Sequence, residues 1–364
     1  MTELAKTPLY KEHISLAARM VPFAGFDMPV QYPGGALGEY QTVRSGGVGI
    51  FDISHMGQIR ITGNQAGEFL QYVCSNDVSC LVDRQVQYSA LLDEQGTFID
   101  DITVYQLQEH EYYLCVNAAN HTKDIAHLNA EAKKFDVSVG DESANTALLA
   151  IQGASSQTLL QKHVDTDLGD IPYYRFSMAS ACGNQSLISR TGYTGEDGFE
   201  IYLANAHARK LWKALLHDGA EPIGLACRDM LRIEMGYALY GHEISDSLTP
   251  VEANLMWITK LKKPAFIGKK AVIARRERGV EKRLIGLKLK GRGIPRAHYP
   301  VVAEGKIVGE VTSGMFSPLT GCGVAMAYVL SDYMECNHLA VLIRDKPIAA
   351  ERVKTPFVRS NVRQ

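Results

Sequence analysis

An internal repeat limits what this chain can fold into more than any other feature of its sequence. The segment Ile61-x-Gly63, followed after five residues by Phe69-Leu70-Gln71, matches Ile151-x-Gly153, followed after five residues by Leu159-Leu160-Gln161. Each copy is typical of a strand, a glycine turn and a helix, and the segments after each helix are typical of a β-meander. We therefore expect two related α+β units.

Each copy also carries an acidic residue before an isoleucine in a predicted strand: Asp101 in the first and Glu200 in the second. Asp is rare in strands, and a buried carboxylate is costly unless it is paired or hydrogen-bonded. We interpret these two acids as counterparts whose carboxylates face one cavity. Strand alternation sends Asp100 to the opposite face from Asp101, so at most one of these two acids points into a given site. The alternative is an edge strand whose acids prevent aggregation.

The bulk composition is that of a soluble globular protein. The 364 residues exceed one ordinary core, so two or three domains are expected. The chain has no apolar run near ~18 residues and no apolar segment at its start, so neither a membrane span nor a secretory signal is predicted. The seven scattered cysteines include no C-x-x-C pair, which argues against a disulfide framework and a zinc site. We expect a cytoplasmic protein without a bound metal.

Positive charge is concentrated in one segment. Residues 260–296 contain fourteen Lys and Arg against two acids, in a chain whose net charge is −2. Such a surface attracts acidic partners, for example an acidic protein or a polyanionic cofactor tail. Nucleic acid is a weaker candidate because no nucleic-acid-binding motif accompanies the charge. The alternative interpretation is that the segment forms a solvated surface without a binding function.

The rest of the chain divides by its periodicity. Helices are predicted over 120–135, 224–237 and 251–258. Asp124 lies on the polar face of the first of these helices. Residues 21–35 are predicted to form a Pro/Gly-rich loop. From Arg283 onward, short strands separated by Gly and Pro predict a separate C-terminal β-barrel or sandwich of about 80 residues.

Common catalytic signatures are absent: the sequence has no G-x-S-x-G, P-loop, H-E-x-x-H or G-x-G-x-x-G motif. Asp52, Ser54 and His55 are close in sequence, but nucleophilic triads are assembled from distant segments. The informative segment is 189–200. Its glycines, three residues apart, permit close backbone approach to a ligand, and Tyr193 offers a ring for stacking. The Glu200 carboxylate can accept two parallel N–H bonds from a pterin or guanine edge. A long hairpin loop with acidic decoration is the alternative.

Six motifs, in order along essentially the whole chain, resemble the aminomethyltransferase (T-protein) family of glycine cleavage systems. They are Phe51-Asp52-x-Ser54-His55-Met56, Ile99-Asp100-Asp101, Val116-Asn117-Ala118, the segment from Ser189 to Glu200, Gly224-Leu225-x-x-Arg228-Asp229-x-Leu231-Arg232-x-Glu234 and Thr312-Ser313-Gly314-x-Phe316-Ser317-Pro318. The resemblance implies an enzyme that transfers the one-carbon unit of the aminomethyl group on lipoylated H-protein to tetrahydrofolate. The products would be 5,10-methylenetetrahydrofolate, ammonia and dihydrolipoyl H-protein.

The resemblance also implies an α+β fold with a central folate channel. Residues 1–280 would form two interleaved α+β domains, approximately 1–55 with 140–245 and 56–139 with 246–280, and residues 281–364 an antiparallel β-barrel. The expected partners are lipoylated H-protein and tetrahydrofolate, with or without a polyglutamate tail, and neither nucleic acid nor a membrane.

By position, Asp101 matches the family's catalytic carboxylate near folate N10, and Glu200 matches the ligand of the pterin edge. Folate-cavity positions are matched by Tyr88, Asn117, Tyr193, Arg228, Tyr237 and, on the cavity lining, Met56. A free Asp has a pKa near ~3.9, so we expect Asp101 to be ionised at neutral pH and to act as an electrostatic stabiliser first and a base second.

The sequence leaves two alternative functions open. The folate half of dimethylglycine and sarcosine dehydrogenases shares the implied fold, but those chains carry a flavin-binding G-x-G-x-x-G, which is missing here. A non-catalytic folate-binding protein of iron–sulfur assembly would call for a Lys-Gly-Cys-Tyr-x-Gly-Gln-type segment. The comparable region here, Leu239-Tyr240-Gly241-His242-Glu243, has no Cys.

Overall fold

The computed structural model describes residues 3–363. The first elements are α1 (Tyr10–Ser15), β1 (Arg19–Phe23), β2 (Phe26–Gln31), α2 (Gly35–Arg44) and β3 (Gly49–Asp52). β1 and β2 form a two-stranded hairpin, so the loop predicted over 21–35 is wrong. Ala24 and Gly25 have φ of 48° and 83°, as the two central residues of a type I′ turn require. The prolines of both strands are tolerated because a hairpin has only edge strands.

A five-stranded sheet follows, in the order β5-β6-β7-β4-β8. Its strands are β4 (Gly57–Thr62), β5 (Val86–Leu92), β6 (Phe98–Gln108), β7 (Glu111–Val116) and β8 (Ser138–Asp141). The helices α3 (Ala66–Val73) and α4 (His121–Ala132) cover one face, where Phe69, Leu114 and Leu128 are fully buried in one apolar cluster.

A six-stranded sheet has the order β10-β11-β12-β9-β3-β13. Its remaining strands are β9 (Thr146–Gln152), β10 (Phe176–Ala181), β11 (Asn184–Ser189), β12 (Gly198–Ala204) and β13 (Glu221–Pro222), with the helices α5 (Ser156–Leu160) and α6 (Asn205–His217). Trp212 and Leu211 of α6 are fully buried against this sheet. The three-stranded meander β10-β11-β12 pairs with β9 in this sheet, just as the meander β5-β6-β7 pairs with β4 in the five-stranded sheet.

The two sheets confirm the predicted repeat. Gly63 and Gly153 adopt φ of +132° and +128°, and a Cβ at these glycines would lie 2.4 Å and 2.2 Å from a backbone oxygen. Both turns therefore require glycine. The pairing of Asp101 with Glu200 as counterparts is wrong, however. Asp101 lies on the second meander strand, β6, whereas Glu200 lies on the third, β12, whose equivalent in the first sheet is β7.

The segment between the sheets and the C-terminal strands contains α7 (Leu225–Met235) and α8 (Lys269–Arg278). α7 confirms the helix predicted over 224–237. The helix predicted over 251–258 is wrong, since only Met256–Ile258 forms a 3₁₀ turn. The hydroxyl of Thr249 donates to the carboxylate of Glu252, and Val251 and Leu255 are buried in irregular backbone.

The C-terminal strands close into a barrel in the order β14-β17-β16-β15-β18-β19. They are β14 (Lys282–Leu289), β15 (Pro300–Ala303), β16 (Lys306–Ser317), β17 (Cys322–Leu330), β18 (Leu339–Ile343) and β19 (Lys346–Val353). Val311, Ala327 and Val341 fill the interior. The α+β fold class with a C-terminal antiparallel β-barrel is confirmed. Across residues 3–363, each helix is too short or too polar to cross a membrane.

Candidate active site

The candidate site lies where the two sheets face each other. Tyr105 on β6 and Tyr202 on β12 join the sheets through a hydrogen bond of 2.8 Å between their hydroxyls. Strand alternation puts Asp101 on the face of Tyr105 and Glu200 on the face of Tyr202. Both carboxylates therefore point toward the space between the sheets, although they are not equivalents in the repeat.

Asp101 is half-buried and held by two donors. The hydroxyl of Tyr88 donates to one carboxylate oxygen at 2.8 Å, and the amide of Asn117 donates to the other at 2.7 Å. Asp100 is fully buried on the opposite side of the strand and accepts from the backbone N–H and the side-chain amide of Asn117, both at 2.9 Å, and from Asn120. Asn117 thus fixes both acids and sets the direction of the Asp101 carboxylate.

The environment of Asp101 raises its pKa to about 7, because burial disfavours the carboxylate and the negative charge of Asp100 lies nearby. The hydrogen bonds from Tyr88 and Asn117 oppose this shift. This result differs from the expectation of a fully ionised Asp101 at neutral pH. A carboxyl group with a pKa near the working pH is well matched to accept and return a proton, so base chemistry gains weight relative to pure charge stabilisation.

Asp124 on α4 is a further member of the acidic group that sequence reasoning placed on a polar face. The residue is fully buried, and both carboxyl oxygens lack a conventional donor. Burial and the neighbouring Asp100 carboxylate raise the pKa of Asp124 to about 10. Asp124 is therefore protonated at neutral pH and shares that proton with Asp100 in a hydrogen bond. With this proton bound, Asp100, Asp101 and Asp124 cannot all be negatively charged next to one another in the interior.

This protonation predicts a pH-dependent gain in stability for Asp124→Asn. An unfolded Asp ionises near 3.8, whereas folded Asp124 keeps its proton up to about pH 10. Folding binds a proton between these values, so native stability falls as the pH rises through this window. Asparagine stays neutral and still donates to Asp100. We expect the free energy of unfolding to rise by roughly 1–3 kcal/mol at pH 8, and by less at pH 5.

Urea unfolding at pH 5, 6.5 and 8 measures this difference. Asp246→Asn is the control, because Asp246 is exposed. A gain for Asp124→Asn that does not change with pH would contradict the assignment.

Glu200 is also half-buried, and its contacts leave part of it available. The hydroxyl of Thr191 donates to one oxygen at 2.5 Å, and Ser189 holds Thr191 at 2.7 Å. Within the described residues, the second Glu200 oxygen accepts no side-chain hydrogen bond. Burial raises the pKa of Glu200, opposed by Thr191 and by the positive charge of Arg228. The free oxygen can accept a donor from a ligand.

An aromatic pair lies next to Arg228, whose positive charge also acts on Glu200. The rings of Tyr193 and Tyr237 stack with centroids 5.5 Å apart and planes 29° apart. The Arg228 guanidinium lies 4.7 Å from the Tyr193 ring centroid. The Tyr193 hydroxyl donates to the carbonyl of Ala238. All three side chains are half-buried, so a flat ligand can reach both the rings and the cation.

Close packing explains the glycines that precede Glu200. A Cβ on Gly192 would lie 2.1 Å from the side-chain oxygen of Gln152, and one on Gly195 would lie 2.2 Å from the sulfur of Met235. Gly195 also has φ of +76°. The positive φ of Gly195 favours glycine, and a side chain at Gly192 would have to displace the buried Gln152 side chain. The segment is therefore a packed loop that carries Tyr193, and the spacing of the glycines was the signal for it.

The remaining predicted residue, Met56, packs against the apolar cluster that includes Tyr105 and Tyr202. Two further neighbours of the candidate site were not assigned a place in it from the sequence, although His55 lies in one of the matched motifs. His55 is buried beside Arg228, and burial together with that charge lowers the pKa of His55 to about 4, so the ring is neutral. Trp257 is 60% exposed and lies 5.7 Å from the Tyr88 ring. Residues 3–363 contain no group of three or more His, Cys, Asp or Glu side chains suited to a metal ion.

Two family models together match most of the chain. Residues 9–263 match the family described as the GCVT N-terminal domain, and residues 282–359 match the glycine cleavage T-protein C-terminal barrel domain. An aminomethyltransferase of Desulfitobacterium hafniense is 43% identical over 364 residues, covering 99% of each chain. One from Chloroherpeton thalassium is 44% identical over 361 residues, covering 98% of this chain and 99% of the other.

A crystal structure of an aminomethyltransferase has the same fold as this chain. The glycine cleavage system aminomethyltransferase T of Bartonella henselae superposes with a TM-score of 0.93 at 35% identity, covering 98% of this chain and 99% of the other. Both the sequence relatives and this structure extend over the α+β part and the barrel together. The chain therefore belongs to the glycine cleavage T-protein family and is an aminomethyltransferase.

Proposed function

We propose that this aminomethyltransferase transfers the one-carbon unit from lipoylated H-protein to tetrahydrofolate held between the two sheets. Asp101 is the catalytic residue at the reacting carbon, and Glu200 binds the pterin edge. The observation that carries this proposal is the arrangement of two half-buried carboxylates, each with one tyrosine or threonine donor, on facing sheets.

The side chains available in this space suit a reduced folate. The free oxygen of Glu200 and its partly occupied neighbour can accept the adjacent N–H donors of the pterin edge. The stacked Tyr193 and Tyr237 offer an aromatic face to a planar ring. Arg228 makes no side-chain hydrogen bond within the described residues, so its donors are free for a ligand oxygen. Tyr88, Asn117 and Met56 complete the lining.

The chemistry needs a negative charge near the transferred carbon. The lipoyl sulfur carries a CH2–NH3⁺ group, and loss of ammonia leaves an electrophilic carbon with thionium (S=CH2⁺) character. A folate nitrogen attacks this carbon, and closure onto the second folate nitrogen releases the thiol. The two nitrogens lose their protons to the ammonia and the thiolate. Asp101 stabilises the developing positive charge and accepts a folate N–H proton on its way to those groups.

A direct assay tests the proposed reaction. Aminomethylated H-protein is mixed with the enzyme, and formation of methylenetetrahydrofolate is followed with tetrahydrofolate present and absent. We expect 5,10-methylenetetrahydrofolate and one ammonia per turnover only when tetrahydrofolate is present. Ammonia release without consumption of added tetrahydrofolate would contradict folate as the acceptor.

Glu200→Ala is expected to weaken tetrahydrofolate binding by about 10–100-fold, since a charge-assisted hydrogen bond contributes ~1.5–3 kcal/mol. Calorimetric titration of the folded variant measures the dissociation constant. Glu200→Gln is the matched variant, because it keeps the length and one acceptor oxygen but loses the charge. It should fall between the wild type and Glu200→Ala. An unchanged dissociation constant in Glu200→Ala would remove Glu200 from the binding site.

We also propose that the basic segment 260–296 receives the acidic surface of H-protein. The structure divides this charge into two groups. Lys263 is buried on the carbonyl oxygens of Cys74 and Asn76, and Arg275 pairs with the buried Glu252. Those cations serve the fold. Lys270, Arg276 and Arg278 of α8 are exposed instead, so they are available to a partner.

Replacing Lys270, Arg276 and Arg278 together by Glu is expected to weaken binding to H-protein at least tenfold at low salt, and to reduce the salt dependence. Surface plasmon resonance with immobilised lipoylated H-protein measures both quantities. Lys11, Arg84 and Lys133 are exposed but outside this segment, so their triple replacement by Glu is the control for net charge. Equal affinities for the two triple variants would contradict this docking surface.

A further inference from the structure

The last residues of the chain return from the barrel to the α+β part. After β19, the backbone N–H of Phe357 donates to the carbonyl of Glu234 at 2.7 Å. Thr355 packs so closely on Gly236 that a Cβ there would lie 2.4 Å from the Thr355 Cβ. We call residues 354–363 the C-terminal strap. Its first half is fixed at the end of α7, directly beside Tyr237.

The second half of the strap reaches the glycine-rich loop. The backbone N–H of Asn361 donates to the carbonyl of Gly195 at 2.8 Å, and the hydroxyl of Ser360 donates to the same oxygen at 3.3 Å. The side-chain amide of Asn361 lies 3.1 Å and 3.2 Å from the two carboxylate oxygens of Glu196. The strap therefore holds the turn two residues after Tyr193.

These two attachments bracket the aromatic stack. Tyr237 follows Gly236, where Thr355 packs, and Tyr193 precedes the Gly195 turn, where Asn361 binds. Both glycines have positive φ, +66° and +76°. Glycine segments lose more conformational freedom on ordering than other residues, so external contacts matter most there. The strap supplies such contacts on both sides of the Tyr193–Tyr237 pair.

A purely structural role for Asn361 fits this arrangement poorly. Asn361 is exposed, so its truncation opens no cavity. The Glu196 charge stays compensated without it, because Arg44 donates to Glu196 at 2.7 Å in a pair that is nearly inaccessible to solvent. What the Asn361 side chain adds is a restraint on the position of the loop.

We infer that Asn361 is a positioning residue for folate binding: through Gly195 and Glu196, the C-terminal strap keeps Tyr193 stacked on Tyr237. This inference rests on the proposed binding of tetrahydrofolate between the sheets. The barrel therefore contributes to the folate site through its C-terminal extension, although its own strands lie outside the two facing sheets.

Two variants test the inference. One is Asn361→Ala, and the other is a truncated chain that ends at Arg359. Tetrahydrofolate binding is measured by calorimetric titration, steady-state kinetics give kcat and KM for tetrahydrofolate, and thermal unfolding reports stability. We expect the dissociation constant and KM to rise about tenfold in both variants, with kcat changed less than twofold and an unfolding midpoint within about 2 °C of wild type. Asn361→Gln, which keeps the amide, should restore most of the affinity.

Lys354→Ala is the matched control, because Lys354 is an exposed strap residue outside the loop contacts. It should bind tetrahydrofolate like the wild type. Wild-type affinity in both Asn361→Ala and the shortened chain would overturn the inference while leaving the proposed function intact. A wild-type enzyme that binds no tetrahydrofolate would instead overturn the proposed function. A lowered unfolding midpoint with unchanged affinity would assign Asn361 to stability alone.

Discussion

Asp101→Asn is expected to lower turnover by ~10² or more and to leave tetrahydrofolate binding nearly unchanged. In the proposed complex the pterin is bound by Glu200 on β12, whereas Asp101 lies on β6 of the other sheet. Asparagine keeps the size and one acceptor for Tyr88 or Asn117. What it removes is the charge and, in the proposed mechanism, the proton acceptor at the reacting carbon. Single-turnover measurement of methylenetetrahydrofolate formation, with calorimetric titration of tetrahydrofolate, separates the two quantities.

The pH profile gives a second, independent readout of the same change. With the pKa of Asp101 at about 7, the ionised form decreases below that pH, so wild-type kcat/KM should fall about tenfold per pH unit on the acid side. Asp101→Asn should lose this acid limb. Glu109→Gln removes an exposed carboxylate close to the end of the same strand and should match the wild type. Normal turnover in Asp101→Asn would remove Asp101 from the mechanism.

The sequence predicts the parts of this fold that local chemistry decides. Gly63 and Gly153 stand at turns whose φ and close backbone contacts exclude any side chain, so the repeat was visible without coordinates. The short C-terminal strands separated by Gly and Pro likewise predicted a β-barrel or sandwich, and the family resemblance favoured the barrel. The β1–β2 hairpin was missed because its turn places Ala24 at positive φ, which composition does not signal.

Properties of the candidate site that depend on residues distant in sequence were harder to predict from the sequence. The pKa of Asp101 depends on burial and on the charge of Asp100, whose surroundings include Asp124 from a helix. A helical pattern cannot tell whether a polar position faces water or a second carboxylate. The contact of Asn361 with Gly195 joins residues at opposite ends of the second half of the chain. No periodicity encodes such a pair, and only the folded topology brings it together.

Arg232→Met is expected to cost about 3–5 kcal/mol of stability, the largest effect on folding that we predict. Arg232 of α7 has a side chain only 1% exposed, and it donates to Glu243 at 2.7 Å and to Ser313 of β16 at 2.7 Å. It also donates to the carbonyl of Tyr237 at 3.1 Å. The Arg232 guanidinium thus connects α7 to the barrel and to the backbone of Tyr237, one of the two stacked tyrosines.

The cost arises because Glu243 would remain in the interior without its cation. Glu243 is fully buried, and the hydroxyl of Thr312 and the N–H of Leu239 would be its remaining donors. Methionine fills much of the volume, so the loss reflects charge and hydrogen bonding more than a cavity. Urea unfolding of the variant and the wild type measures the difference.

Arg209→Met is the control for loss of an arginine in an ion pair. Its side chain is 66% exposed and pairs with Glu12, which Lys213 also approaches at 3.7 Å. Only the arginine side of this pair is exposed, but Lys213 still compensates Glu12 when Arg209 is lost, so we expect a cost of ~1 kcal/mol or less. If Arg232→Met were no more destabilising than Arg209→Met, the buried pair could not be what fixes the barrel to α7. The carbonyl of Tyr237 would then need another restraint, and the C-terminal strap at Gly236 would be the remaining candidate, because its Thr355 packs directly against that glycine.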